Sequence, residues 1–267
     1  MASTVVSYDH YYGSGLYDVR YRRPNPSTYR SALRLARASS RILDFGAGSG
    51  RYALPFLHST SAFVCAYDVS VSACRALELR IAAASVPSER LLVTADLDAA
   101  RAAGPYDLVT SIFGVLSHIE GRENRIDTLN SIRSLLTAEG RLFLTVPHAL
   151  RRFPLHASSA GRGSESGGVS APTYRRRYFP SPRPVIYHHH VEAEERPFPY
   201  YLFSRRELAS ELSAAGFALE VLESDSILPE RRLVRSPTLV PVDDFLCRVL
   251  PSWAGYGLRT ICRAGHR

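Results

Sequence analysis

A doubly wound α/β sheet is the fold this sequence predicts, and three observations predict it. Short apolar segments alternate with helix-like stretches from Arg41 to Val146. The segments are nearly continuous in apolar residues, as strands covered on both faces are. A glycine-rich turn joins the first segment to the stretch after it. With 267 residues, 45% of them hydrophobic, the chain suffices for one large α/β domain or two small ones.

The strands, in order, are Arg41 to Phe45, Phe63 to Asp68, a weaker Arg90 to Ala95, Tyr106 to Phe113 and Arg141 to Val146. Helices are expected at Tyr52 to Leu57, Val71 to Ala84 and Arg122 to Leu136, the last with Gly140 as terminator before the next strand. The pattern breaks after Val146. A Ser/Gly-rich stretch, many prolines, the cluster Arg175 to Arg177 and the run His188 to His190 fill an interval of some fifty residues, long by loop standards and therefore expected to be either functional or partly disordered. Regular structure is expected to resume at Ser204, which forms a capping box with Glu207 ahead of Leu208 and Leu212, and Gly216 closes that helix. Strands at Phe217 to Glu223 and Tyr256 to Cys262 follow, with a short helix at Val242 to Leu250 between them. The expected division is an aromatic and arginine-rich cap over 1–36 and a main domain over 37–267 with an insertion at 148–203.

Composition excludes several chemistries. There are 33 basic and 25 acidic residues, a net charge of +8, and every basic residue is arginine. Without lysine there is no Schiff base and no Walker A loop. A high-GC coding sequence accounts for all-arginine usage by itself; arginine also suits phosphate and carboxylate recognition. Cys65, Cys74, Cys247 and Cys262 form no CxxC pair, so buried thiols in a reducing, cytoplasmic setting are expected. The first residues lack a secretory signal, and the longest uncharged stretch, Tyr52 to Tyr67, is too polar to span a membrane.

The sharpest motif is Leu43-Asp44-Phe45-Gly46-Ala47-Gly48-Ser49-Gly50. A strand ends in an acid and enters three alternating glycines, which let the backbone turn tightly and approach a ligand. The spacing is GxGxG rather than the GxGxxG of dinucleotide binders. An acid there faces a cation, and the amino group of a methionine moiety fits. Asp68 ends the next strand, where a carboxylate can accept two hydrogen bonds from ribose hydroxyls. Asp96 follows the third, placed for an adenine amino group with Leu97 against the ring. Asp68 and Asp96 are each also positioned to cap a helix.

With these residues in hand, the sequence resembles the class I S-adenosylmethionine-dependent methyltransferases. The matching motifs are LDFGAGSG, AYDVS, TADL, YDLVTSIFGVLSHI and LLTAEGRLFLTVP, strongly over Arg37 to Pro147 and more loosely over Leu202 to Cys262. The resemblance implies a Rossmann-like seven-stranded mixed sheet whose last strand, Tyr256 to Cys262, is antiparallel. It implies S-adenosyl-L-methionine as cofactor, with Asp44, Gly46 and Gly48 on the methionine part, Asp68 on the ribose, and Asp96 and Leu97 on the adenine. Phe45, Ala47, Gly50 and Val69 belong to the same cofactor-binding set. Phe113 and His118 are implied to lie near the sulfonium and the acceptor.

His118 suits a general base by its near-neutral titration, and equally a packed histidine in an apolar stretch. His188 to His190 alternate faces on an extended strand and have no nearby ligand set, so no metal is expected. Arg175 to Arg177, flanked by Tyr174 and Tyr178, read as a nucleic-acid clamp or as a solvated charge run. Tyr8, Tyr11, Tyr12, Tyr17 and Tyr21, with Arg20, Arg22 and Arg23, are too aromatic for a disordered tail and are expected to cap the cofactor mouth. Tyr11, Tyr17 and Arg20 are candidates for the methionine carboxylate. The expected acceptor is a small molecule, a metabolite or natural product. One alternative is tRNA: the C-terminal third looks like the wobble-uridine tRNA methyltransferases, but Pro199 to Phe203 lacks their histidine after the tyrosines. The other is a non-catalytic or NAD-binding Rossmann protein.

Overall fold

The computed structural model describes residues 2–21, 23–84, 88–149, 184–191 and 194–265. Nine strands among them are β1 (Arg41–Phe45), β2 (Phe63–Tyr67), β3 (Leu91–Thr94), β4 (Tyr106–Ser111), β5 (Leu136–Pro147), β6 (Pro184–Val191), β7 (Glu194–Tyr201), β8 (Phe217–Asp225) and β9 (Gly257–Ala264). Seven form one sheet in the order β3-β2-β1-β4-β5-β9-β8, and β6 and β7 make a separate antiparallel hairpin. Strands β1 to β5 pair in parallel, whereas β9 runs antiparallel to both β5 and β8.

Residues of one strand serve two cores in alternation, as a pleat of period two requires. Leu43 and Phe45 of β1 face one cluster with Leu129, Leu142, Leu208 and Leu212. Ile42 faces the other with Ala32, Leu77, Leu108 and Phe143. Helices α3 (Pro26–Ala36), α4 (Ala53–Ser59) and α5 (Val71–Ala84) supply the second layer, and α7 (Arg122–Ser134) and α8 (Arg205–Ala214) the first. The short α6 (Leu97–Ala102) follows β3. α7 and α8 are locked by a buried ion pair: Arg125 donates to both oxygens of Glu211, at 2.9 and 2.6 Å, with the two side chains 4% and 2% exposed. The Arg125 guanidinium also lies 4.1 Å from the Tyr201 ring centroid.

The Ser204–Glu207 capping box is present, and Gly216 ends α8 with φ +77°. The four cysteines are buried free thiols. Gly140 departs from expectation. α7 stops at Ser134 and β5 begins at Leu136, so Gly140 lies inside the strand. Between Tyr106↔Leu136 and Leu108↔Arg141 the register slips, and β5 bulges past β4. A Cβ on Gly140 would sit 2.9 Å from the Tyr106 carbonyl oxygen, so close packing on β4, not helix termination, calls for glycine there.

Regular structure also returns earlier than Ser204, because β6 and β7 pair from Pro184↔Tyr201 to Val191↔Glu194. This pairing places His188 to His190 on β6, while Arg175 to Arg177 lie outside the described residues. Two further helices, α9 (Glu230–Arg235) and α10 (Val240–Val249), lie between β8 and β9. At the N-terminus, α1 (Ala2–Gly13) and α2 (Leu16–Arg20) precede α3, whose cap is Asn25, with Oδ1 accepting from the Ser27 and Thr28 amides. Among the described residues, no helix is long and apolar enough to cross a membrane.

Candidate active site

The carboxyl ends of β1, β2 and β4 converge, and the turn after β1 defines the centre. Gly46 adopts φ +80° and Gly48 φ +55°, a region that penalises any side chain. Both Gly46 and Ala47 amides donate to the Tyr67 carbonyl, which folds the turn back over β2. Space is the second reason for glycine. A Cβ on Gly46 would come 2.5 Å from a Val115 methyl, and one on Gly48 would run into the Tyr12 hydroxyl. The Phe45 ring packs into the core against Tyr67, 5.0 Å between centroids, so only its backbone serves the site. Gly50 closes the turn with its amide on the Ala47 carbonyl.

Asp44 is 2% exposed beneath this turn. Its Oδ1 accepts from the Thr110 hydroxyl at 2.8 Å, whereas Oδ2 is buried without a hydrogen-bonding partner among the described residues. Burial lifts its pKa to about 7; Thr110 and the nearby Ala53 amide pull the other way. Such a carboxylate gains from a cation placed against it. Asp68 is already engaged, with Oδ2 accepting from the Gly48 amide at 2.8 Å and Oδ1 from the Ser70 amide at 2.9 Å. Burial raises its pKa to about 6. The hydroxyl that caps α5 belongs to Ser70, which accepts from the Ala73 amide, so Asp68 shapes the glycine turn and is not the cap. Val69 beside it is 47% exposed. Asp96 takes the capping role that the sequence allowed: it precedes α6 and accepts from the Asp98 amide at 2.9 Å. It is exposed, and Leu97 is half-buried.

The end of β4 carries the strained backbone of the site. Phe113 has φ +71°, rare for a bulky residue, and is held by its amide on the Thr145 hydroxyl at 2.9 Å. Its ring packs on Tyr21 at 4.8 Å and beneath the Arg51 guanidinium at 4.4 Å. Arg51, buried, donates to the Arg23 carbonyl and pairs with Glu230. His118 follows in a 3-10 turn. Its Nδ1–H donates to the Pro199 carbonyl at 3.1 Å, since a carbonyl can only accept, which leaves the Nε2 lone pair for the Tyr8 hydroxyl at 2.7 Å. Tyr8 and Tyr200 flank the imidazole at 4.9 and 4.7 Å.

The N-terminal tyrosines cover this floor. Tyr11, Tyr12 and Tyr17 cluster with Phe198 and Ala73. Asp9 accepts from the Ser70 hydroxyl and the Ser72 amide, pinning α1 to the start of α5, where a carboxylate complements the helix dipole. Asp18 pairs with Ser49 and lies 3.8 Å from Arg80. Asp44, the glycine turn, Asp68, Phe113 and His118 therefore lie around one set of strand ends, with Asp96 at the edge. The sequence did not single out Arg51, Thr110, Thr145 or the pairing of Tyr8 with His118. Nor did the sequence single out His148 at the end of β5, which is 2% exposed, with Nδ1 unpartnered among the described residues and its pKa lowered by burial to about 4. Arg51 had a signal, a charge in the apolar run after the glycines; the others had none locally. Among the described residues, no three His, Cys, Asp or Glu side chains gather as a metal site.

Comparison with known proteins bears on this arrangement. A protein-family model described as a methyltransferase domain matches residues 43–142. Among solved structures, the 1,6-didemethyltoxoflavin-N1-methyltransferase of Burkholderia thailandensis is similar at 20% identity and a TM-score of 0.59, over 99% of this chain and 88% of that one. The CcbJ methyltransferase of Streptomyces caelestis gives 18% and 0.58, with 91% of each chain covered. The glycopeptide N-methyltransferase MtfA, solved with S-adenosyl-L-methionine, gives 17% and 0.57, over 91% of this chain and 95% of that one. No curated protein matches the sequence.

Proposed function

We propose that the chain is a class I S-adenosylmethionine-dependent methyltransferase that methylates a small-molecule acceptor of the natural-product kind, a reading supported by the methyltransferase-domain model over residues 43–142 and by the similar solved structures. The observation that carries this reading is the convergence of an orphaned buried carboxylate oxygen on Asp44, a glycine turn in left-handed conformation, and a histidine of defined tautomer at the tip of β4.

The residues present fit S-adenosylmethionine. Asp44 offers its unpartnered Oδ2 to an ammonium, and Phe45, Gly46, Ala47, Gly48 and Gly50 present backbone at the turn. Asp68 and Val69 at the end of β2, with Asp96 and Leu97 after β3, would hold the nucleoside. When bound, the cofactor supplies both the methyl group and a positively charged leaving group, so approach geometry provides most of the rate. His118 holds the proton. Its Nδ1–H is fixed on Pro199, so Nε2 is the basic atom, and an acceptor hydroxyl or amine in place of the Tyr8 hydroxyl would donate to the same lone pair. Tyr8 and Tyr200 pack against its imidazole.

We assign residues 1–36 the role of cap and 37–267 that of catalytic domain. Four unpaired thiols suit the cytoplasm. Support for the acceptor class comes from similar structures named for toxoflavin-type and glycopeptide substrates. The test is calorimetry with S-adenosylhomocysteine, followed by transfer of a labelled methyl group to small-molecule extract and to bulk tRNA. Binding with label in the small-molecule fraction is expected. Label in tRNA alone overturns the acceptor class, and absence of binding overturns the reading as a whole.

A further inference from the structure

Beside the strand ends, the stretch around α2 and the helix α9 enclose a cleft of about 460 Å³, within the size range of small-molecule sites. Its lining includes Arg20, Arg23, Arg231 and Arg235, together with Tyr21 and Glu230. Among the described residues, none of these four arginines has a carboxylate within ion-pair distance. Glu230 is engaged by the buried Arg51. Among the described residues, Arg20 reaches the Tyr11 hydroxyl and the Tyr21 ring, 5.6 Å from its centroid.

Part of this arrangement works against the fold. Arg231 and Arg235 stand one turn apart on α9, where like charges repel and destabilise a helix. Two further guanidinium groups face the same space. Guanidinium forks match phosphate and carboxylate oxygens two at a time, and four around one cleft would complement a multiply charged anion. Tyr21 ties the cleft to the chemistry, because its ring packs on Phe113 at 4.8 Å, at the tip of β4.

We propose that this cleft receives an anionic group, a phosphate or a carboxylate, carried by the acceptor itself, whose reactive atom then lies beyond Tyr21 near Phe113. The inference rests on the methyltransferase reading and deepens it by assigning the acceptor a charge.

Pyrophosphate is the probe. In low-salt calorimetry the protein should bind it, and the Arg231→Gln/Arg235→Gln variant should bind at least tenfold more weakly while retaining S-adenosylhomocysteine affinity within twofold. Arg37→Gln/Arg75→Gln, which removes the same charge elsewhere, should bind pyrophosphate as the parent does. No binding, or equal loss in both variants, overturns the cleft. Competition between pyrophosphate and S-adenosylhomocysteine overturns the acceptor assignment in favour of the cofactor carboxylate. Small-molecule extract separated by anion exchange distinguishes an anionic acceptor from a free regulatory anion. Methyl label should enter the retained fraction and fall at least tenfold with Arg231→Gln/Arg235→Gln; label only in the unretained fraction overturns the proposal. Retained pyrophosphate binding with no S-adenosylhomocysteine binding would instead remove the methyltransferase premise and leave the cleft standing.

Discussion

Replacing Asp44 with Asn should weaken the cofactor site and shift stability toward the variant as pH rises. Asp44 is 2% exposed, with one oxygen unpartnered, and burial raises its pKa from 3.8 to about 7. The folded chain therefore holds that proton up to about pH 7, whereas the unfolded chain releases it near 3.8. Stability contributed at this site falls as pH rises through that interval, by about 4 kcal/mol at roughly 1.4 kcal/mol per tenfold change in proton affinity. Asn does not titrate, so the stability of the variant relative to the parent should climb by that order between pH 4 and 7 and stay level above. An Asn amide that finds no acceptor subtracts about 1–3 kcal/mol at every pH, leaving the slope intact. Binding should move oppositely. Losing a charge-assisted hydrogen bond of about 1.5–3 kcal/mol weakens S-adenosylhomocysteine roughly ten- to hundredfold at pH 8. Parent affinity should also decline as pH falls through 7 and Asp44 protonates, more steeply than that of the variant, in which Asp68 with its pKa of about 6 still titrates. Urea denaturation at pH 5 and 8, with calorimetry at the same values, reads both. A stability difference that is the same at the two pH values, or unchanged affinity, would refute the placement of Asp44 under a cation.

Three further outcomes follow from the same structure. Arg125→Met alone strands the buried Glu211 charge and should cost about 3–5 kcal/mol by denaturation, whereas Arg125→Met/Glu211→Leu should recover most of it; equal losses in single and double variants would contradict a desolvation origin. Gly48→Val forces a β-branched residue into φ +55° and against Tyr12, so S-adenosylhomocysteine binding should be lost with a destabilisation of only about 1–3 kcal/mol; a collapsed melting temperature with affinity retained would sink this. His148 is kept neutral to about pH 4, so the native state binds fewer protons than the unfolded chain between about 4 and 6.5 and loses stability as pH falls through that window. The difference between His148→Asn and the parent should therefore shift by about 3 kcal/mol from pH 7 to pH 4, and a flat difference would place the imidazole in water.

What the sequence determined by itself is local and periodic. Apolar runs of four to six residues marked β1, β2 and β4, glycines at alternate positions marked the turn, and Ser204 with Glu207 marked the start of α8, since each signal lies within a few residues. Asn25-Pro26 ahead of α3 was equally readable, as a cap followed by proline at the first helical position, yet the arginines and tyrosines around it drew the segment toward a featureless cap. The tertiary structure decided what depends on distance along the chain. Gly140 could pass for a helix terminator until the slipped register of β5 on β4 showed a backbone in its way. Asp68 and Asp96 were alike as strand-end acids; Gly48, twenty residues earlier, made one of them part of the glycine turn, and the start of α6 made the other a cap. The tautomer of His118 is set by residues 110 positions before it and 81 after it. Hydrogen-bond partners of that kind leave no periodic trace, because their selection acts on positions in space that only the closed sheet brings together.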